Sequence, residues 1–104
     1  MDQEGAPSVF SATTELAGDH LRVVVSGEVD MATADALVQA ATRDQAKMIT
    51  LDLRDVTFFD SAAIHAVLGL ANRHPEGLAV IPSHQVRRVL DIAGLGEQPW
   101  LSPS

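Results

Sequence analysis

Three kinds of residue in this chain invite a chemical reading: a hydroxyl beside a carboxylate, scattered histidines, and a run of aspartates. Asp60-Ser61 ends the stretch LDLRDVTFF and opens a helical pattern. A hydroxyl at such a turn lies near the surface, within reach of another enzyme. A phosphate ester there would meet the unpaired N–H groups and partial positive charge of a helix start. Asp and Ser are also the commonest helix caps, and spacing alone favours that plainer role. A nucleophilic serine fits poorly, because no Gly-x-Ser-x-Gly elbow surrounds Ser61 and no base is identifiable by spacing. His20, His65, His74 and His84 form no i, i+4 pair or other ligand spacing, so no metal is expected. Asp52 falls within a strand pattern and Asp55 in a turn-like Arg-Asp, where surface roles suffice. The P-loop and dinucleotide glycine patterns are absent, and with them any expected cofactor. The chain has no cysteine, which removes disulfides, thiolate metal sites and cysteine nucleophiles together. None of these residues is arranged for catalysis, so an enzyme is not expected, and capping remains the plainer role of Asp60-Ser61.

The elements that must position Asp60 and Ser61 follow from periodicity. Residues 10–16 form a weak first strand. Gly18-Asp19 signals a turn, and the Val-rich LRVVVSGEV over 21–29 completes a hairpin. From Met31 to about Ala46 the period changes: Ala34, Leu37, Val38 and Ala41 repeat at helical spacing, with Asp30 or Thr33 able to cap. Residues 48–53 form a short strand with Ile49, Leu51 and Leu53 on one face, and RDVTFF reads as a loop. A helix over 61–73 carries Ile64, Val67, Leu68 and Ala71 on one stripe, and His74-Pro75 ends it. LAVI at 78–81 is a buried strand. Pro82-Ser83 starts a third helix with Val86, Val89, Leu90 and Ala93 inward, and Gly94 terminates it. The order ββαβαβα implies crossovers and a mixed, mostly parallel sheet of four to five strands with three to four helices. One sheet face should be less protected than in a doubly wound fold. Residues 1–8 read as a tail, and so do the last few, QPWLSPS.

Composition narrows the partners. A chain of 104 residues suits one α/β domain. Seven basic residues against fourteen acidic give a net charge of -7, and the basic ones are scattered. Nucleic acid and anionic membrane surfaces are thus set aside, and a basic partner surface is favoured. The longest basic run, Arg87-Arg88, reads as a solvated helix face. The opening MDQEGAPS is too polar for a signal peptide, no apolar run reaches membrane-spanning length, and a cytoplasmic location is expected. Phe58 and Phe59 are two of only four aromatic residues, so at least one belongs to the core; the other can anchor a partner.

Three stretches in order, VVVSGEVDMATADAL at 23–37, LDLRDVTFFDSAAI at 51–64 and VRRVLDIAGLGE at 86–97, resemble the STAS family, most closely its anti-sigma factor antagonists. The resemblance runs from about Val9 to Leu101, implying a domain over 9–101 with a short tail at 102–104. It implies a partner switch. The unmodified protein binds an anti-sigma factor that is also a serine kinase, which frees a sigma factor. The kinase phosphorylates the serine matching Ser61, and a serine phosphatase restores it. The implied contact surface is Glu28, Asp30, Phe59, Asp60, Ser61 and Ala62, on a monomer or weak dimer. The chain departs from the family where many relatives have a second hydroxyl and a glycine after the serine, since Ala62 and Ala63 stand there. Stand-alone STAS-like proteins also resemble a second role, a non-switching accessory subunit of a membrane transport ATPase complex.

Overall fold

The computed structural model describes residues 10–103, and the tail expected over 1–8 lies outside them. The chain runs β1 (Phe10–Ala17), β2 (His20–Val29), α1 (Ala34–Thr42), β3 (Met48–Phe59), α2 (Ser61–Arg73), β4 (Leu78–Pro82) and α3 (His84–Ile92). This is the expected ββαβαβα order. Gly18, at φ +61°, makes the tight turn between β1 and β2. The four strands form one sheet in the order β1-β2-β3-β4. β1 pairs antiparallel with β2, whereas β2, β3 and β4 are mutually parallel.

Alternation along the strands sorts the sheet into two faces. Leu21, Val23 and Val25 of β2, Ile49, Leu51 and Leu53 of β3, and Leu78 and Val80 of β4 point inward. Leu37, Val67, Leu70, Val86 and Leu90 of the three helices join them in a single core. The opposite face carries Glu15, Arg22, Thr50 and Ala79, which the pairing register sets in one row and which all reach solvent. All three helices thus feed the core on one side, and among the described residues none covers the other side.

Four readings of the sequence are corrected. RDVTFF is not a loop but the second half of β3. Past Leu53 the strand has no partner in β4, yet it stays on β2, with Ser26 opposite Asp55, Gly27 opposite Val56 and Glu28 opposite Phe58. Register shifts between Val24 and Ser26 and between Gly27 and Glu28 break the simple alternation there, which hides the strand from a period-2 reading. Residues 31–33 form a turn and not the first turn of α1, which also ends early, at Thr42. The closing segment is not frayed through Leu101. Trp100 and Leu101 are buried, and Leu101 bridges β4 at Val80 in parallel sense. The N–H of Val80 donates to the Trp100 carbonyl at 2.7 Å, and that of Ser102 to the Val80 carbonyl at 2.9 Å. Arg87 donates to the Ser102 carbonyl as well. Ala93 is exposed, because α3 ends at Ile92 and Gly94, at φ +80°, turns the chain away.

Candidate functional site

The site is built at the carboxyl ends of β2 and β3, where two turns meet. Asp60 has extended backbone and caps α2: its Oδ1 accepts the Ala63 N–H at 3.1 Å, and its carbonyl accepts the Ile64 N–H at 3.0 Å. Its own N–H donates to the Val29 carbonyl at 3.3 Å, which ties the start of α2 to the end of β2. The capping role read from spacing is therefore real. It also fixes Ser61 as the first residue of α2, where its side chain is exposed. The first turn of α2 itself holds no acidic residue, and the Asp60 carboxylate at the N-cap is what meets the positive end of the helix.

The second turn, over residues 30–33, is organised by Asp30 and Thr33. Asp30 Oδ1 accepts the Ala32 N–H at 2.9 Å, and the Thr33 hydroxyl accepts the Asp30 N–H at 2.9 Å. That hydroxyl also lies 2.9 Å from the Glu28 carbonyl and 3.2 Å from Asp30 Oδ1. Thr33 and Ala34 both donate backbone N–H groups to the Asp30 carbonyl. Thr33 makes no side-chain cap on α1; its hydroxyl closes the turn instead. Sequence reasoning treated Thr33 only as a helix cap, although an acidic residue and a hydroxyl three apart after a strand is a turn signal in its own right.

Since Glu28 is registered against Phe58 and Val29 against Phe59, the two turns sit side by side. Glu28, Asp30, Asp60 and Ser61 thereby lie at the same edge of the sheet. Phe59 is not part of that surface. It is 3 % exposed and belongs to the core, whereas Phe58 is 45 % exposed. Adjacent residues on a strand face opposite ways, and β3 runs through both, so one of the pair had to turn inward. Ala62 is half-buried. The far half of β3 is held from α3 too: the Ser83 hydroxyl donates to the Val56 carbonyl at 2.7 Å while accepting the Val86 N–H at 3.1 Å. Ser61 thus stands at a sheet edge where the chain segments carrying Glu28, Asp30 and Asp60 also end.

The strongest electrostatic feature lies elsewhere and escaped the sequence reading. Asp52, on the bare face of the sheet, is only 5 % exposed. Its Oδ2 accepts from Arg22 at 2.6 Å and from Arg54 at 2.7 Å, and its Oδ1 from Arg54 Nε at 2.9 Å. The Arg54 guanidinium, above all, holds the Asp52 carboxyl down at about 2, against the opposing effect of burial. Arg54 was a readable partner, two residues along on the same face; Arg22, thirty residues away, was not. Among the described residues no cluster of three or more His, Asp or Glu side chains is arranged to hold a metal ion, and no helix is long and apolar enough to cross a membrane.

The family model described as "Mlab, STAS domain" matches residues 12–102. No curated protein matches the chain. Among solved structures, an anti-sigma factor antagonist from Mycobacterium paratuberculosis is 28% identical with a TM-score of 0.80, over 95% of this chain and 90% of that one. The anti-sigma factor antagonist SpoIIAA in its unphosphorylated form is 23% identical over 88% of this chain and 86% of that one, with a TM-score of 0.69. The phosphorylated form of the Bacillus cell fate determinant SpoIIAA gives 24% identity, 88% and 89% coverage and a TM-score of 0.64.

Proposed function

We propose that this chain, which belongs to the STAS domain family, is a cytoplasmic anti-sigma factor antagonist. In this reading it binds an anti-sigma factor serine kinase while Ser61 is unmodified, and a sigma factor is freed. Phosphorylation of Ser61 by that kinase ends the interaction, and a serine phosphatase reverses it. The observation that carries the reading is the exposed Ser61 at the start of α2, locked to the end of β2 through the Asp60 N–H bond to Val29. Support comes from the 28% identity to an anti-sigma factor antagonist along nearly the whole chain. The fold is shared with both the unphosphorylated and phosphorylated forms of SpoIIAA.

The physics of the switch is local. Phosphate adds a charge of about -1.5 to -2 at neutral pH. At Ser61 it joins the neighbouring Asp60 on a chain of net charge -7. Against a close partner surface it must be desolvated beside like charge, a cost on the order of 3–5 kcal/mol. About 1.4 kcal/mol already means tenfold in affinity. No refolding is required. The contact surface consists of Glu28, Asp30, Asp60, Ser61 and the edge of Ala62, with Phe58 replacing Phe59.

Calorimetric titration of the purified anti-sigma factor kinase tests this. Unmodified protein and Ser61→Ala bind equally, within about twofold, and Ser61-phosphorylated protein binds at least about 100-fold more weakly. A well-folded Ser61→Ala protein that fails to bind contradicts the reading. The alternative is a non-switching accessory subunit of a membrane transport ATPase complex. A stable complex with such an ATPase, unaffected by ATP or by Ser61→Ala, selects that role.

A further inference from the structure

Five large apolar side chains stand exposed among the described residues, and two of them, Met31 at 84 % and Phe58 at 45 %, belong to the segments that end at the Ser61 edge. Single exposed apolar groups are ordinary on a protein surface, so exposure alone decides nothing. What sets Met31 apart is how it is held. It lies in the 30–33 turn, between residues whose bonds fix the backbone on both sides. Asp30 Oδ1 accepts the Ala32 N–H at 2.9 Å, and the Thr33 hydroxyl accepts the Asp30 N–H at 2.9 Å and donates to the Glu28 carbonyl at 2.9 Å. None of these bonds uses the Met31 side chain, and Met31 has no place in the core. Phe58 is held by the strand ladder, registered against Glu28 while Phe59 turns inward. Both side chains are thus presented by backbone that is already ordered, which lowers the ordering cost of a contact. Methionine suits such a contact, since its unbranched, polarisable chain adapts to the shape of a recess.

The charges of the same segments are of one sign. Residues 27–35 and 55–63 contain Glu28, Asp30, Asp35, Asp55 and Asp60, and no lysine, arginine or histidine. All seven Lys and Arg residues of the chain stand elsewhere, and Arg54, adjacent to the second segment, is held by Asp52.

We infer, resting on the switch proposed for Ser61, that Met31 is an apolar anchor of the partner contact, with Phe58 as its companion, and that the partner surface it fits is an apolar recess rimmed by basic side chains. Interfaces of this kind draw most of their affinity from a few covered side chains inside a polar rim. The basic rim meets carboxylates that are present whether or not Ser61 is modified. A phosphate on Ser61 differs, because an apolar recess offers it no hydrogen-bond donor. Covering a methionine side chain completely corresponds to about ten- to hundredfold in affinity.

Calorimetric titration of the anti-sigma factor kinase with the full chain and its variants tests the inference. Met31→Ala weakens binding about ten- to hundredfold, and Met31→Leu, which keeps an apolar side chain of similar volume, stays within about threefold of the unmodified protein. Met48→Ala removes the same residue type, half-exposed at the opposite edge where β3 begins, and leaves binding unchanged. Thermal unfolding of the two Met31 variants matches that of the unmodified protein, because the side chain is exposed. Raising salt from about 50 mM to about 0.5 M weakens the unmodified complex, as attraction between opposite charges requires. Met31→Ala protein that binds as tightly as the unmodified chain, while phosphorylation of Ser61 still ends binding, overturns the anchor and leaves the switch intact. An equal loss in Met48→Ala also overturns the anchor. Binding that salt leaves unchanged or strengthens overturns the basic rim. An unmodified chain that does not bind the kinase overturns the switch and the anchor together.

Discussion

Replacing Asp52 with asparagine isolates the one buried carboxylate of the sheet. Its oxygens are held by Arg22 and Arg54 at 2.6 to 2.9 Å, and its pKa falls from 3.8 to about 2. The sign is that of a depressed acid: the stabilisation is complete above the unfolded value of 3.8 and disappears as pH falls through about 2. At about 1.36 kcal/mol per pH unit the depression is worth roughly 2 kcal/mol. Both guanidiniums reach solvent, and the amide of asparagine still accepts hydrogen bonds, so Asp52→Asn should cost about 1–2.5 kcal/mol at pH 7. Urea unfolding of both proteins between pH 7 and pH 2 measures it. The gap between them should hold from pH 7 to about 4.5 and narrow steadily below the carboxylate range. A gap under about 0.5 kcal/mol at pH 7, or one that persists undiminished at the lowest pH, would refute the reasoning.

The exchange of roles between the two phenylalanines gives a second prediction. Phe59→Ala should lose about 3–5 kcal/mol in urea unfolding, whereas half-exposed Phe58→Ala should lose under about 1. Trp100→Ala should also destabilise by about 3 kcal/mol or more in the same assay, because the buried indole anchors the segment that covers β4. A frayed terminus would show no change. Asp60→Ala removes the α2 cap and should cost about 1 kcal/mol by thermal unfolding, while Asp60→Asn should cost only a few tenths.

Much of the architecture was legible because helical and strand periods are local. The stripe Ile64, Val67, Leu68, Ala71 and the breaker His74-Pro75 gave α2 its bounds, and Ile49, Leu51 and Leu53 gave β3 its buried face. Where the reading stopped, tertiary partners decided. The second half of β3 carries the turn-like Arg54-Asp55, and only its ladder with β2, interrupted by two register shifts, keeps it extended. Trp100 and Leu101 sit among proline, serine and glutamine, which read as a tail until β4 supplies a place for them. Phe58 and Phe59 could not be told apart while their strand was taken for a loop. At the site itself, Asp60 and Ser61 were visible as a pair. Their closeness to Glu28 and Asp30 depends on β2 and β3 lying side by side, and the bond from Asp60 to Val29 joins residues 31 positions apart. Asp52 was visible only as an aspartate in a strand, and Arg22, which helps to bury it, came from another.

The central claim is that Ser61 is the site of a phosphate switch, and intact mass measured after incubation with the anti-sigma factor kinase and ATP tests it most directly. The account predicts a gain of one phosphate on the unmodified chain and none on Ser61→Ala. An active kinase that adds no phosphate, or adds it equally to Ser61→Ala, would contradict it.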